Sequence, residues 1–207
     1  MALRYLALGD SYTIGEGVAV EDRWPMQLAR ALRAAGVDIA DPQIIATTGW
    51  TTDELYAGID AAAPQGPFDL VTLLIGVNNQ YRGRSVDEYR TQFAALLQRA
   101  LGFAGQRARR VLVLAIPDWG VTPFAAGSGR DVAQIAHELD AYNAAAAAVC
   151  TQHGIAFIDT APVSRARGGE VAMLAEDGLH PSAALYTQWY QQAYPVAYRH
   201  LNDEVLP

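Results

Sequence analysis

The chain has 207 residues, of which 51% are hydrophobic and 18% charged, a balance that builds a buried core and excludes a disordered chain. Fifteen Lys and Arg stand against 22 Asp and Glu, a formal net charge of -7, which is poorly suited to holding nucleic acid through its phosphates. No run approaches the ~18 consecutive apolar residues that span a bilayer, and the length fits a single domain over residues 1–207.

The first residues show no separate charged and apolar leader. Apolar residues run straight into a first strand, which argues against a signal peptide and for a cytoplasmic protein. The one cysteine, Cys150, excludes an internal disulfide. It lies in an Ala-rich helical stretch and reads as a buried structural thiol. Arg107, Arg109 and Arg110 form the only tight basic cluster and read as a solvated strand entry.

In chain order, residues 4–8 predict a buried strand ending at Gly9. Residues 24–35 carry apolar positions at helical spacing and stop at Gly36. Residues 39–46 read as a strand that Pro42 makes an edge or a late starter. Residues 51–63 read as a helix capped by Thr51 or Thr52, with Asp53 and Glu54 in its first turn. The continuous apolar run 70–75, ended by Gly76, has the mark of a parallel strand covered on both faces. A helix over 85–104 opens on Ser85 with Glu88 three residues on, the capping-box pattern. Residues 111–116 form another buried strand, stopped by Pro117. A long loop over 118–129 precedes a helix over 131–153 and a short strand over 155–159. A glycine-containing loop then leads to a last helix over 183–201, which must tolerate or bend at Pro195.

Five strands alternating with helices predict an α/β fold, a doubly wound parallel sheet with helices on both faces. In such a sheet the active site lies beyond the carboxyl ends of the strands. The first strand ends in Gly9-Asp10-Ser11, which points a serine hydroxyl into the crevice from a glycine-flanked turn. A free serine is a weak nucleophile and needs a neighbouring base. Asp177-Gly178-Leu179-His180-Pro181 supplies one: a three-residue spacing brings a carboxylate to one ring nitrogen and leaves the other to accept the serine proton. His137, His153 and His200 lie in helices or at their ends and read as surface or capping residues. Gly49 and Asn78 stand at two further strand ends, where a backbone N–H and a side-chain amide can hold an oxyanion. Asp10 reads as a residue that holds the turn.

These blocks resemble those of the SGNH, or GDSL, hydrolases. Gly9-Asp10-Ser11-Tyr12-Thr13-Ile14-Gly15 resembles their first block and Gly49 their second. Gly76-Val77-Asn78-Asn79 resembles the third and Asp177-Gly178-Leu179-His180-Pro181 the fifth, all in family order. The resemblance implies a flavodoxin-like three-layer α/β/α sandwich. It implies Ser11 as nucleophile, His180 as base and Asp177 as its orienter. The Ser11 N–H, the Gly49 N–H and the Asn78 side chain would form the oxyanion hole. Many members carry Asp after the third-block asparagine; Asn79 stands there instead and removes a charge near the site.

The reaction this implies is cleavage of a small-molecule carboxylic ester through an acyl-enzyme, with no metal or cofactor. The short chain and the lack of a long apolar lid favour short acyl groups. Tyr12, Trp50, Asn79, Tyr81 and Trp119 are candidate pocket residues, with Phe124 on the same side. Gln80, Tyr81 and Arg82 rim the pocket in one reading and form an ordinary solvated loop with Arg84 in the other. Acyl transfer, or lysophospholipase or thioesterase action, uses the same triad. A flavodoxin-like module for a phosphate-bearing ligand is a different class; the first loop has neither Gly-x-Gly-x-x-Gly nor a Gly-Lys-Ser/Thr ending. Oligomeric state is not legible.

Overall fold

The computed structural model describes residues 1–202. Its most apolar runs form the middle of a sheet. β1 (Tyr5–Gly9) is buried along its whole length. The chain turns at once into α1 (Ser11–Ile14) and then enters α2 (Trp24–Ala34). β2 (Gln43–Ala46) and α3 (Thr52–Ala62) follow. β3 (Leu70–Leu74), again wholly buried, leads into α4 (Val77–Tyr81) and α5 (Val86–Phe103). β4 (Val111–Leu114), α6 (Pro123–Gly127), α7 (Val132–Gln152) and β5 (Ala156–Ile158) come next. α8 (Ala161–Arg167) and α9 (Ala183–Asn202) complete the described chain.

All four strand pairings are parallel, in the order β2-β1-β3-β4-β5. α2 and α9 pack together on one face, while α3, α5 and α7 form the layer on the other. This is the flavodoxin-like three-layer sandwich that the alternation predicts. From β1 the chain steps outward to β2, then crosses back past β1 to β3. The connections diverge at that switch point and leave a crevice beyond the ends of β1 and β3.

Local chemistry explains most boundaries. The Glu54 carboxylate accepts a hydrogen bond from the Thr51 N–H at 2.8 Å, and Ser85 Oγ accepts one from the Glu88 N–H at 3.2 Å, so both predicted helix starts are capped. Asn143 on α7 satisfies the backbone of Ile116 just past β4, accepting from its N–H at 2.8 Å and donating to its carbonyl at 2.9 Å. α9 runs through Pro195 without a break.

Several expectations are corrected. β2 begins at Gln43, not at residue 39; Pro42 withholds a ladder donor, and Ile39 makes only an isolated bridge to Leu3. The loop over 118–129 contains a 3-10 turn at Trp119–Val121 and the helix α6. There Thr122 Oγ1 caps the Ala125 N–H, and Pro123 fills the first helical position, where its missing donor costs nothing. The loop after β5 likewise contains α8. Arg110 is not solvated: it is 9% exposed and ion-paired with Asp69, while Arg107 and Arg109 are exposed. Cys150 is wholly buried, and burial pushes its thiol up to about 12. No helix among the described residues is long and apolar enough to cross a membrane.

Candidate active site

Ser11 opens α1 directly after β1 and is 4% exposed. Its N–H sits at the first helical position, where no intrahelical acceptor exists. Asp10 caps this short helix: its Oδ1 accepts from the Tyr12 N–H at 3.0 Å. Asp10 is fully buried. Burial pushes its carboxyl up to about 7, against backbone N–H groups of Tyr12, Gly76 and its own that pull the other way.

Two further donors flank Ser11. Gly49 follows β2 with φ of +87°, a left-handed conformation that disfavours any side chain. Its carbonyl is held by Arg82 Nη2 at 2.7 Å, and its N–H makes no hydrogen bond among the described residues. Asn78 lies in α4, just past β3. Its Nδ2 donates to the Trp50 carbonyl at 2.9 Å. An amide nitrogen carries two donors, so this bond fixes the side chain and leaves one N–H for the cavity. The tight exit from β3 depends on Gly76: its φ is +129°, and a Cβ there would lie 2.5 Å from the Tyr89 ring and 2.8 Å from Ile116.

The opposite wall comes from the loop before α9. His180 Nδ1 meets Asp177 Oδ2 at 2.5 Å. Asp177 Oδ1 accepts from the N–H groups of Leu179 and His180, each at 2.9 Å. The carboxylate thus grips its own loop with one oxygen and the imidazole with the other. Partial burial pushes the Asp177 carboxyl up, but these hydrogen bonds and the imidazole outweigh it and hold the carboxyl below its usual range. With Nδ1 engaged, Nε2 remains as the acceptor. Tyr12 supports the ring from below, with centroids 5.8 Å apart, and itself rests on Trp189.

Ser11, Gly49, Asn78 and His180 all line one cavity of about 140 Å³. Tyr12, Tyr81, Trp119 and Phe124 line it too, together with Thr48, Val77 and Leu179. Trp50 and Asn79 do not. The Trp50 ring lies over Gly58 of α3, where a Cβ would come within 2.2 Å of it. Asn79 is wholly buried; its Oδ1 accepts from the Thr52 N–H at 3.0 Å and its Nδ2 donates to Thr52 Oγ1 at 2.7 Å. Asn79 therefore ties α4 to α3, and an aspartate there would lack the donor.

The segment expected to be a solvated loop is not free: its first residues, Gln80 and Tyr81, belong to α4. Gln80 is 3% exposed; it accepts from Trp119 Nε1 at 2.9 Å and donates to Glu138 at 2.7 Å. Arg82 pairs with Glu54, and Arg84 with Asp53 and Glu88. His137 is exposed, His153 caps the end of α7, and His200 stands in the last turn of α9. Thr48, Val77 and Leu179 stand in the strand ends and blocks that the sequence singles out but receive no pocket role there; the structure puts all three on the cavity wall. Arg130 escapes it with no signal at all; its guanidinium stacks 4.1 Å over the Tyr81 ring.

Known proteins agree with this architecture. The crystal structure of TesA superposes with a TM-score of 0.72 at 22% identity, covering 93% of this chain and 97% of its own. The psychrotrophic esterase EstA from Pseudoalteromonas sp., solved in a form inhibited by monoethylphosphonate, gives 0.72 at 18% identity over 96% and 98%. The lipase Lip_vut3 from a goat rumen metagenome gives 0.75 at 18% over 97% and 100%. At these identities the likeness is one of fold. No curated relative matches the sequence. The profile of the GDSL-like lipase/acylhydrolase family matches residues 7–188, most of the sequence, and the chain belongs to that family.

Proposed function

We propose that the protein is a serine esterase that cleaves carboxylic esters of short acyl groups through an acyl-enzyme. The observation that carries this reading is one small cavity lined by Ser11, Gly49, Asn78 and His180, with apolar walls from Val77, Trp119, Phe124 and Leu179. Ser11 Oγ attacks the ester carbonyl while His180 Nε2 takes its proton, and Asp177 steadies the imidazolium. The new oxyanion receives the N–H groups of Ser11 and Gly49 and the free amide hydrogen of Asn78. His180 returns the proton to the leaving alcohol. Water then repeats the sequence on the acyl-enzyme and releases the acid.

Size supports the short-acyl preference. A cavity of about 140 Å³ is well below the ~300–1,000 Å³ of ordinary ligand sites. The test is hydrolysis of p-nitrophenyl acetate, butyrate and octanoate by wild type, Ser11→Ala and His180→Ala, each checked for fold by circular dichroism. Activity lost in both variants and highest on the short esters is expected. Full activity in Ser11→Ala would refute the nucleophile, and fastest turnover of octanoate would refute the acyl preference.

A further inference from the structure

The small cavity has a large neighbour. An open groove of about 580 Å³ lies between the end of α4 and the first turns of α7. Arg82 and Gly83 form one side; Arg130, Gln134 and Glu138 form the other. Tyr81 is the one residue that lines both spaces. The two spaces thus meet at this aromatic side chain.

That side chain is held from more than one direction. Trp119 meets the Tyr81 ring edge-on, with centroids 5.4 Å apart. Arg130 lies 4.1 Å over the ring, and its Nη2 donates to the Tyr81 carbonyl at 2.9 Å. Trp119 is itself fixed, because its Nε1 donates to Gln80. Yet Tyr81 is 41% exposed and ends a helix of five residues, so it is no part of the core. A partly exposed residue clamped by a cation and an indole serves position more than stability.

We infer that Tyr81, clamped by Arg130, is the wall that sets the acyl length accepted at Ser11. The inference rests on the esterase reading and adds to it the side chain that limits substrate size. In the native protein an acyl chain longer than the cavity meets the phenol ring. With the ring removed, the cavity opens into the groove, and the chain can continue beside Ile135 and the aliphatic stems of Arg130 and Gln134. Arg130 touches no reacting atom; it is a positioning residue for the ring.

The experiment measures kcat/KM for p-nitrophenyl butyrate and octanoate with wild type, Tyr81→Ala, Tyr81→Phe and Arg130→Gln. Tyr81→Ala is expected to raise the octanoate-to-butyrate ratio by about tenfold, the scale on which a pocket discriminates methylene groups. Tyr81→Phe keeps the ring and should keep the wild-type ratio. Arg130→Gln loosens the ring and should move the ratio part of the way. A Tyr81→Ala enzyme that loses activity on both esters in equal proportion overturns the inference. If that variant does not fold, Arg130→Gln decides, and an unmoved ratio overturns it equally. Ser11-dependent hydrolysis with an unmoved ratio sinks the wall alone. Wild type without Ser11-dependent hydrolysis sinks the wall and the esterase reading together.

Discussion

Asp10→Asn isolates the cost of burying a carboxylate beside Ser11. Asp10 is fully buried, and its carboxyl moves from the usual 3.8 to about 7, chiefly through desolvation. In the unfolded chain the group is ionised from above pH ~4. In the folded protein it holds its proton until pH approaches 7. The folded state therefore binds more protons across this window, and stability falls as pH rises. The contribution is fully present below the unfolded value and is spent once pH passes the folded one. Integrated from pH 5 to pH 8, the loss is about 3 kcal/mol. Asparagine keeps an oxygen for the Tyr12 N–H, 3.0 Å away, and removes the titration; its amide nitrogen cannot accept from the other backbone N–H groups around the carboxyl, a pH-independent offset that the comparison across pH leaves out. At ~2–4 °C per kcal/mol for a protein of this size, wild type should lose about 6–12 °C more than the variant between those pH values. Urea and thermal unfolding of both proteins by circular dichroism, at pH 5, 6, 7 and 8, measures this difference, in which other titrating groups cancel. Curves that stay parallel to within about 0.5 kcal/mol would show that Asp10 carries no proton at neutral pH and that the desolvation argument is wrong.

Asn78→Ala should lower kcat on p-nitrophenyl butyrate by about 10²–10³-fold with little change in KM, as loss of one oxyanion donor does; an unchanged kcat would remove Asn78 from the oxyanion hole. Asp177→Asn should cut kcat by about a hundredfold or more while leaving the fold intact, because it unsettles the tautomer of His180; near-wild-type turnover would mean that the loop alone orients the ring. Pro195→Ala should raise the unfolding free energy by about 1–3 kcal/mol, since Pro195 is exposed inside α9 and alanine restores the missing backbone donor. A lower urea midpoint would show instead that the pyrrolidine ring packs usefully.

What was legible in the sequence follows from how strongly each feature is tied to local chemistry. β1 is an apolar run that ends in Gly9 and β3 one interrupted only by Thr72 that ends beside Gly76, and their ends give the positions of Ser11 and Asn78. Thr51 with Glu54 and Ser85 with Glu88 mark helix starts by a three-residue spacing, and both caps appear where the spacing puts them, reciprocal at Thr51 and one-way at Ser85. The short helices α4, α6 and α8 were not legible, because five to seven residues hold too few turns to show a period. Trp50 and Asn79 illustrate a different limit. Each neighbours a site residue in sequence, but adjacency does not say which way a side chain points, and both turn toward α3. Arg130 lies 49 positions from the Tyr81 carbonyl it contacts, and no local pattern announces such a pair.

α4 shows why the site must be considered as a unit. Five residues are far too few for a helix to stand alone, so its side chains must anchor it. Asn78 is bound to the Trp50 carbonyl, Asn79 to Thr52, and Gln80 to Trp119 and Glu138. Tyr81 adds the ring that meets Trp119 and Arg130. The proposed oxyanion donor and the proposed wall of the cavity thus ride on one short element, three residues apart. The two remain separable only while Asn79 and Gln80 hold the helix. Truncating Asn79 would leave the Thr52 N–H without its buried acceptor and disturb donor and wall together. The Tyr81 and Asn78 variants keep the Asn79 and Gln80 anchors, although Asn78→Ala gives up the bond to the Trp50 carbonyl together with the donor.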